Sequence, residues 1–147
     1  MEKIVLVGAG GHCKVIIDII KSVGEYDIIG VTDTTFRGQK LVLDIPIIGD
    51  DSILKKLYND GVKNAFVCIG ALQNIKLRDK IYNKLKDIGF NIPVLIHKDA
   101  IVSSYASIAA GTCVMPGAII NPGVFIEENC IINTGVVIEH DCKIQRN

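Results

Sequence analysis

Between Val102 and Ile144 an apolar β-branched residue recurs at every sixth position: Val102, Ile108, Val114, Ile120, Ile126, Ile132, Ile138 and Ile144. Four residues after each of the first seven stands a small or β-branched residue: Ala106, Thr112, Ala118, Val124, Cys130, Val136 and Cys142. No helix has a period of six, so an amphipathic helix does not explain the pattern. A triangular parallel β-helix does, because each hexad forms one flat side with two inward positions and three hexads make a coil. The seven full hexads from Val102 through Lys143 predict a little over two coils. So short a solenoid is expected to leave unpaired backbone and exposed Ile132, Ile138 and Ile144 side chains at its end. Further chain, another subunit or a cap of Gln145, Arg146 and Asn147 would cover them.

The preceding residues carry different periods. From Lys3 to Ile96 short apolar runs alternate with helical patterns, which predicts βαβ units around a parallel sheet. KIVLVG reads as a buried strand, and CKVIIDIIKSV carries Val15, Ile16, Ile19, Ile20 and Val23 at helical spacing. DIIGVTD and NAFVCIG read as further strands, and SILKKLYNDG as a helix closed by Gly61. NIKLRDKIYNKLKDIG is an amphipathic helix stopped by Gly89, and IPVLI is the last strand of this half. The reading is an α/β, Rossmann-like domain at 1–96 followed by β-helix at 97–147.

Composition narrows the partners. Lys plus Arg and Asp plus Glu both number 16, so no basic excess argues for nucleic acid or an anionic membrane surface. MEKIVLVGAGG holds only four apolar residues in a row before its glycines, and no stretch approaches the length of a membrane span, so a cytoplasmic protein is expected. The five cysteines lack CxxC or metal-type spacing and read as reduced, buried thiols. His12, His97 and His140 have no partners at ligand spacing, so no metal is expected.

GAGGHCK, from Gly8 to Lys14, falls between a strand and a helix, where a glycine turn lets backbone N–H groups approach a phosphate. It is not the dinucleotide fingerprint, because GxGxxG requires glycine where Cys13 stands, and Asp33 is only a loose match to the ribose-binding acid. Gly8, Gly10, Gly11, His12, Lys14 and Asp33 form the candidate site for a diphosphate-bearing ligand. Gly70, at the same carboxyl edge of the sheet, borders it.

GAGGHxKV on a first strand, an acid-ending second strand, an IG turn, LIHKDA leading into hexapeptide repeats and NTGVVIEHDC together resemble one family. It is the bacterial nucleotide-sugar and sialic acid acetyltransferases of the NeuD and PglD type. The resemblance implies a left-handed β-helix, acetyl-CoA as cosubstrate and a UDP-linked amino sugar or a sialic acid hydroxyl as acceptor. It also implies a homotrimer with acetyl-CoA between subunits, His140 as general base and Asn133 lining the acceptor site. In that family further coils follow the EHDC hexad, bearing most of the acetyl-CoA surface and another histidine. A shortened coil domain is therefore expected here, with trimer contacts reduced.

The residues agree with part of this independently. His140 stands two places after inward Ile138 and so points outward at a coil corner, with an ordinary pKa near 6.5 that suits proton removal near neutrality. Glu139 or Asp141 can orient it, and adjacency does not decide which. Two rival readings remain: a nucleotide-sugar-binding remnant without turnover, and an NAD-binding regulatory domain, against which Cys13 argues.

Overall fold

The computed structural model describes residues 1–38, 40–72 and 74–147. β1 (Glu2–Val7) is buried from Ile4 to Val7, as a continuous apolar run requires when both sheet faces are covered. It pairs in parallel with β2 (Tyr26–Thr32) and, on its other side, with β5 (Asn64–Val67). α1 (Gly11–Val23) turns Cys13, Ile16, Ile17, Ile19 and Ile20 inward and ends at Gly24, whose φ of 75° lets its N–H reach Ile20 O. α2 (Leu54–Asn59) follows a single 3-10 turn at Asp51–Ile53. α3 (Ile75–Ile88) starts where the Asn74 side chain accepts the Leu77 N–H and stops at Gly89.

Two local expectations change. A hairpin of β3 (Leu41–Val42) and β4 (Ile45–Gly49) adds a parallel neighbour for β2, giving the sheet order β3-β4-β2-β1-β5. Its turn holds Leu43 at φ 55°, so the Asn-Gly or Asp-Gly mark of a tight hairpin is absent from the sequence. Leu95–Ile96, expected to close this sheet, instead forms β6 and pairs with β9 (Cys113–Val114) as the first strand of the coil. The chain touches β5 only through the Asn64–Asn91 bridge, and Pro93 then lacks the N–H that a continuing ladder needs.

The remaining strands are β7 (Ile101–Val102), β8 (Ser107–Ile108), β10 (Ile119–Ile120), β11 (Phe125–Ile126), β12 (Ile131–Ile132), β13 (Val137–Ile138) and β14 (Lys143–Ile144). They stack as three parallel sheets, β6-β9-β12, β7-β10-β13 and β8-β11-β14, the three sides of a left-handed β-helix. Paired residues such as Leu95, Cys113 and Ile131 lie 18 apart in sequence, which is three hexads per coil. Ile132 and Ile138 keep only 5% and 6% of their surface exposed, against the expectation that they would be bare. The two inward registers meet from three sides, so Ala118, Val124 and Cys130 close over them in one cluster. From Gly111 onward the corners place a left-handed residue at a fixed position in the hexad: Gly111, Gly117, Gly123, Asn129, Gly135 and Asp141 all have positive φ.

The α/β half covers the β6-β9-β12 side. Leu95, Cys113 and Met115 join the same buried cluster as Ile4, Phe66 and Tyr82. α1 meets the corner after β6, where His97 Nε2 lies 3.3 Å from Asp18 and Lys98 N–H donates to Ser22 Oγ at 3.2 Å. α3 meets the corners after β8 and β11, where Tyr82 packs on Gly111 and its OH donates to Glu128 at 2.5 Å, and the residues after β14, where Arg146 pairs with Asp79 at 2.7 Å. Among the described residues no helix is long and apolar enough to cross a membrane.

Gly111 and Gly135 hold the same place in their hexads, at different corners of the coil, with φ of 76° and 71°, but a Cβ on Gly111 would lie 2.5 Å from the Tyr82 ring, and one on Gly135 would meet nothing within 4 Å. Gly135→Ala is expected to cost about 1 kcal/mol of left-handed strain, and Gly111→Ala about 2–4 kcal/mol because overpacking adds to it. Equal losses in denaturant unfolding of the two variants would contradict the close approach of α3 to the coil.

Candidate functional site

Two groups of side chains carry chemistry, and they lie in different parts of the fold. The first gathers at the carboxyl edge of the sheet, where β1 and β2 end in turns. Gly8, at φ 108°, closes on Ile69, whose Cγ1 a Cβ at Gly8 would meet at 2.9 Å. Asp33 Oδ1 accepts the Ala9 N–H at 3.1 Å and Oδ2 accepts from Thr35, so this carboxylate ties the two turns together. Burial works to raise the Asp33 pKa, but the Thr35 and Ala9 hydrogen bonds outweigh it and hold the carboxyl below its usual range.

α1 starts beside these turns. Its cap is Gly10, which offers no side chain to the first-turn amides, and no acid stands in that turn. The positive end of the helix is thus open to an anion. His12 packs beside Gly70, where an added Cβ would lie 3.8 Å from His12 Cβ. Its buried Nε2 has no hydrogen-bond partner among the described residues. Burial, together with the Arg78 charge, pushes the His12 pKa down to about 4, so the imidazole is neutral at physiological pH. Gly10, Gly11 and Lys14 are exposed at the helix start.

Next to the turns opens a cavity of about 880 Å³, large enough for a nucleotide. Val7, Gly8, Asp33 and Thr34 form its floor at the sheet edge. Asp51 and Lys55 form one wall, and α3 forms the other with Leu77, Lys80, Ile81 and Lys84. None of Lys55, Lys80 and Lys84 pairs with a carboxylate among the described residues, so three cations face a floor whose charged group is Asp33. Sequence reading missed this wall. Its spacing of three and four along α3 is visible, yet that face reads equally well as a solvated one until the sheet edge is known to stand opposite.

The second group sits at the corner after β13. His140 is exposed, and its Nδ1 lies 2.9 Å from Asp141 Oδ2. Asp141, not Glu139, therefore orients the ring. The Asp141 hydrogen bond and charge raise the His140 pKa above its ordinary value. Asp141 stands at φ 59°, a left-handed conformation that aspartate tolerates better than most residues. A Cβ on Gly123 in the coil beneath would collide with Asp141 Oδ1, and the Asp141 N–H bonds Pro122 O at 3.1 Å. Asn121, Pro122 and Gly123 thus support the pair, a role the sequence marks only by the position of Gly123 in the repeat. Asn133 is exposed at the preceding corner.

The structure brings Gly8, His12, Asp33 and Gly70 together at one end of the sheet. His140, Asp141 and Glu139 lie at the corner shared by the two coil sides that the α/β half leaves uncovered. Within one chain the two groups do not converge.

The comparisons with known proteins bear on both groups. Residues 3–85 match the family model described as the PglD N-terminal domain. A histidine-to-asparagine mutant of perosamine N-acetyltransferase from Caulobacter crescentus, in complex with CoA and GDP-perosamine, is similar at 35% identity and a TM-score of 0.91 over 99% of this chain. PerB from the same organism, also with CoA and GDP-perosamine, is 36% identical with a TM-score of 0.88 over 97% of this chain. The acetyltransferase domain of PglB from Neisseria gonorrhoeae is 32% identical with a TM-score of 0.87 over 99% of this chain. A second structure of that domain contains acetyl coenzyme A. The chain spans 66% and 65% of the two Caulobacter chains and 69% of the Neisseria one.

The environments of the two histidines separate their titrations. In proton NMR, His12 is expected to titrate at about 4 and His140 above the ordinary value, with Asp141→Asn or Gly123→Ala moving His140 back toward 6.5. Because the folded-state pKa of His12 lies below its unfolded value, stability is complete above about 6.5 and declines as pH falls toward 4. His12→Gln should flatten that decline, and an unchanged slope would show that His12 is not the group responsible.

Proposed function

The chain belongs to the PglD-type sugar acetyltransferase family, and on that premise we propose that it transfers acetyl from acetyl-CoA to the amino group of a nucleotide-linked amino sugar, with His140 as general base. The observation that carries the reading is the His140–Asp141 pair. A neutral imidazole that donates Nδ1–H to Asp141 leaves Nε2 as a lone-pair acceptor facing solvent. The substrate amine attacks the thioester carbonyl carbon and passes a proton to that nitrogen, and Asp141 stabilises the imidazolium. Collapse of the tetrahedral intermediate breaks the carbon–sulfur bond and releases CoA, which recovers the proton as a thiol. Asn133 lies along the acceptor's path as a hydrogen-bonding side chain.

The nucleotide belongs at the carboxyl edge of the sheet. The open start of α1, with Gly10 and Gly11, takes the diphosphate, and His12 and Lys14 extend the same site. The cavity against α3 takes the nucleoside. Both Caulobacter structures contain GDP-perosamine, so a GDP-linked acceptor stands beside the UDP-linked one, with a sialic acid hydroxyl as the third form. Use of acetyl-CoA and nucleotide sugars fits a cytoplasmic enzyme.

The separation of the two groups within one chain supports a homotrimer in which His140 of one copy works beside the nucleotide of another. The outward column Ile101, Ile119 and Val137 on the β7-β10-β13 side is apolar, with Ile101 65% and Val137 53% exposed, and offers the surface such an assembly needs.

Calorimetric titration with UDP- and GDP-linked 4-amino sugars, followed by thiol release with acetyl-CoA in the same samples, tests the reading. Binding with CoA release is expected, rising with pH as His140 loses its proton, and His140→Asn should lower the rate by ~10²–10⁴ while binding persists. Binding without release identifies a nucleotide-sugar-binding protein, and no binding removes the glycine-turn site. Light scattering should give a mass about three times the 16.0 kDa chain, and a mass of one chain counts against the trimer.

A further inference from the structure

α3 has two working faces. Leu77, Lys80, Ile81 and Lys84 line the large cavity, while Arg78 and Tyr82, one turn apart, reach the coil. Arg78 has no exposed surface and takes part in no ion pair among the described residues. Its guanidinium donates only to main-chain oxygens: Nη1 to Ile69 at 2.8 Å and to Val67 at 3.3 Å, Nε to Asn129 at 3.3 Å, and Nη2 to Gly111 at 3.5 Å. Two of these carbonyls close the strand end that borders the cavity, and two belong to the same corner in successive coils. A planar fork with five N–H donors can serve acceptors on both sides at once, whereas an ammonium presents three donors at one point.

We propose that Arg78 is a positioning residue that fixes the Ile69–Gly70 turn of the nucleotide site to the Gly111 and Asn129 corners of the coil, so that an occupied nucleotide site stiffens the coil. This rests on the nucleotide reading of the cavity. The turn held by Arg78 is the one that packs on Gly8 and against His12, so a ligand that orders this turn acts directly on the Ile69 acceptor, which holds the shortest of the four bonds. The Arg78 charge also helps to keep His12 neutral, which links the same residue to the site electrostatically. Neighbouring Cys68, Cys113 and Cys130 have their thiol pKa values raised by burial and remain uncharged, so they supply no counter-ion.

Amide hydrogen exchange on the full chain, with saturating UDP or GDP, tests the proposal. The informative amides are protected ones beside the acceptors: Cys68 N–H on Val7 O, Gly111 N–H on Pro93 O, and Asn129 N–H on Ala110 O. In the natural sequence nucleotide should slow exchange at all three by ~3-fold or more, and leave the Ala106 and Ala109 amides unchanged. In Arg78→Lys, with nucleotide raised to saturate the variant at its own Kd, the slowing at Cys68 should persist while that at Gly111 and Asn129 disappears. A purely structural arginine would instead raise exchange throughout and leave the ligand response of the corners intact in whatever fraction folds. Nucleotide binding without corner protection in the natural sequence overturns the link, even if Arg78→Lys fails to fold. Failure of both nucleotides to bind removes the nucleotide reading itself and the proposal with it.

Discussion

Leu95, Cys113 and Met115 point away from the coil interior, yet they are buried in the same cluster as Ile4, Phe66 and Tyr82. The fold depends on this shared core. A β-helix of a few coils buries few side chains of its own, and a five-stranded sheet with α1 on one face leaves apolar surface wherever no second helix covers it. Each half supplies what the other lacks. The approach is close enough that polar groups at the junction must be matched, and Arg78 does this by donating to four carbonyl oxygens, two at the end of β5 and two at coil corners. Burying a lone cation costs several kcal/mol, and hydrogen bonds to a charged group return about 1.5–3 kcal/mol each, so the arrangement holds only while all its partners are in place.

The same junction sets the electrostatics of the candidate site. His12 sits near a buried cation in a half-buried setting, and both effects act against its protonated form. His140 stands in water beside a carboxylate, which favours that form. One residue type therefore has two characters in one chain: a neutral group with an unmatched ring nitrogen against the sheet edge, and a proton acceptor at a coil corner. The two lie on different sides of the coil because the α/β half covers one side and His140 occupies the corner opposite it. The division of labour that the proposed reaction needs is thus spread over the surface of the protomer, which is the physical argument for assembly.

Much of this is legible in the residues. The period of six located every coil strand from β7 onward, because two inward positions per side cannot be satisfied by another spacing. Gly61 and Gly89 marked helix ends, and GAGGHCK marked the turn beneath the open start of α1. The β3–β4 hairpin escaped notice because Leu43 adopts a left-handed conformation without a glycine to announce it. Leu95–Ile96 was assigned to the wrong half because two apolar residues fit either the edge of a sheet or the side of a coil. The choice of Asp141 over Glu139 depended on a backbone conformation that sequence adjacency does not carry.

The sequence alone determined the two architectures, their order along the chain and the identities of His12 and His140 as the residues to watch, since local periodicity and turn chemistry act over a few residues. Only the tertiary structure decided which side of the coil is covered, that α3 both walls the cavity and grips the coil, and that Arg78 is buried without a counter-ion. Those outcomes rest on contacts between residues tens of positions apart, such as Arg78 with Gly111 and Asn129, and no spacing within one segment encodes them.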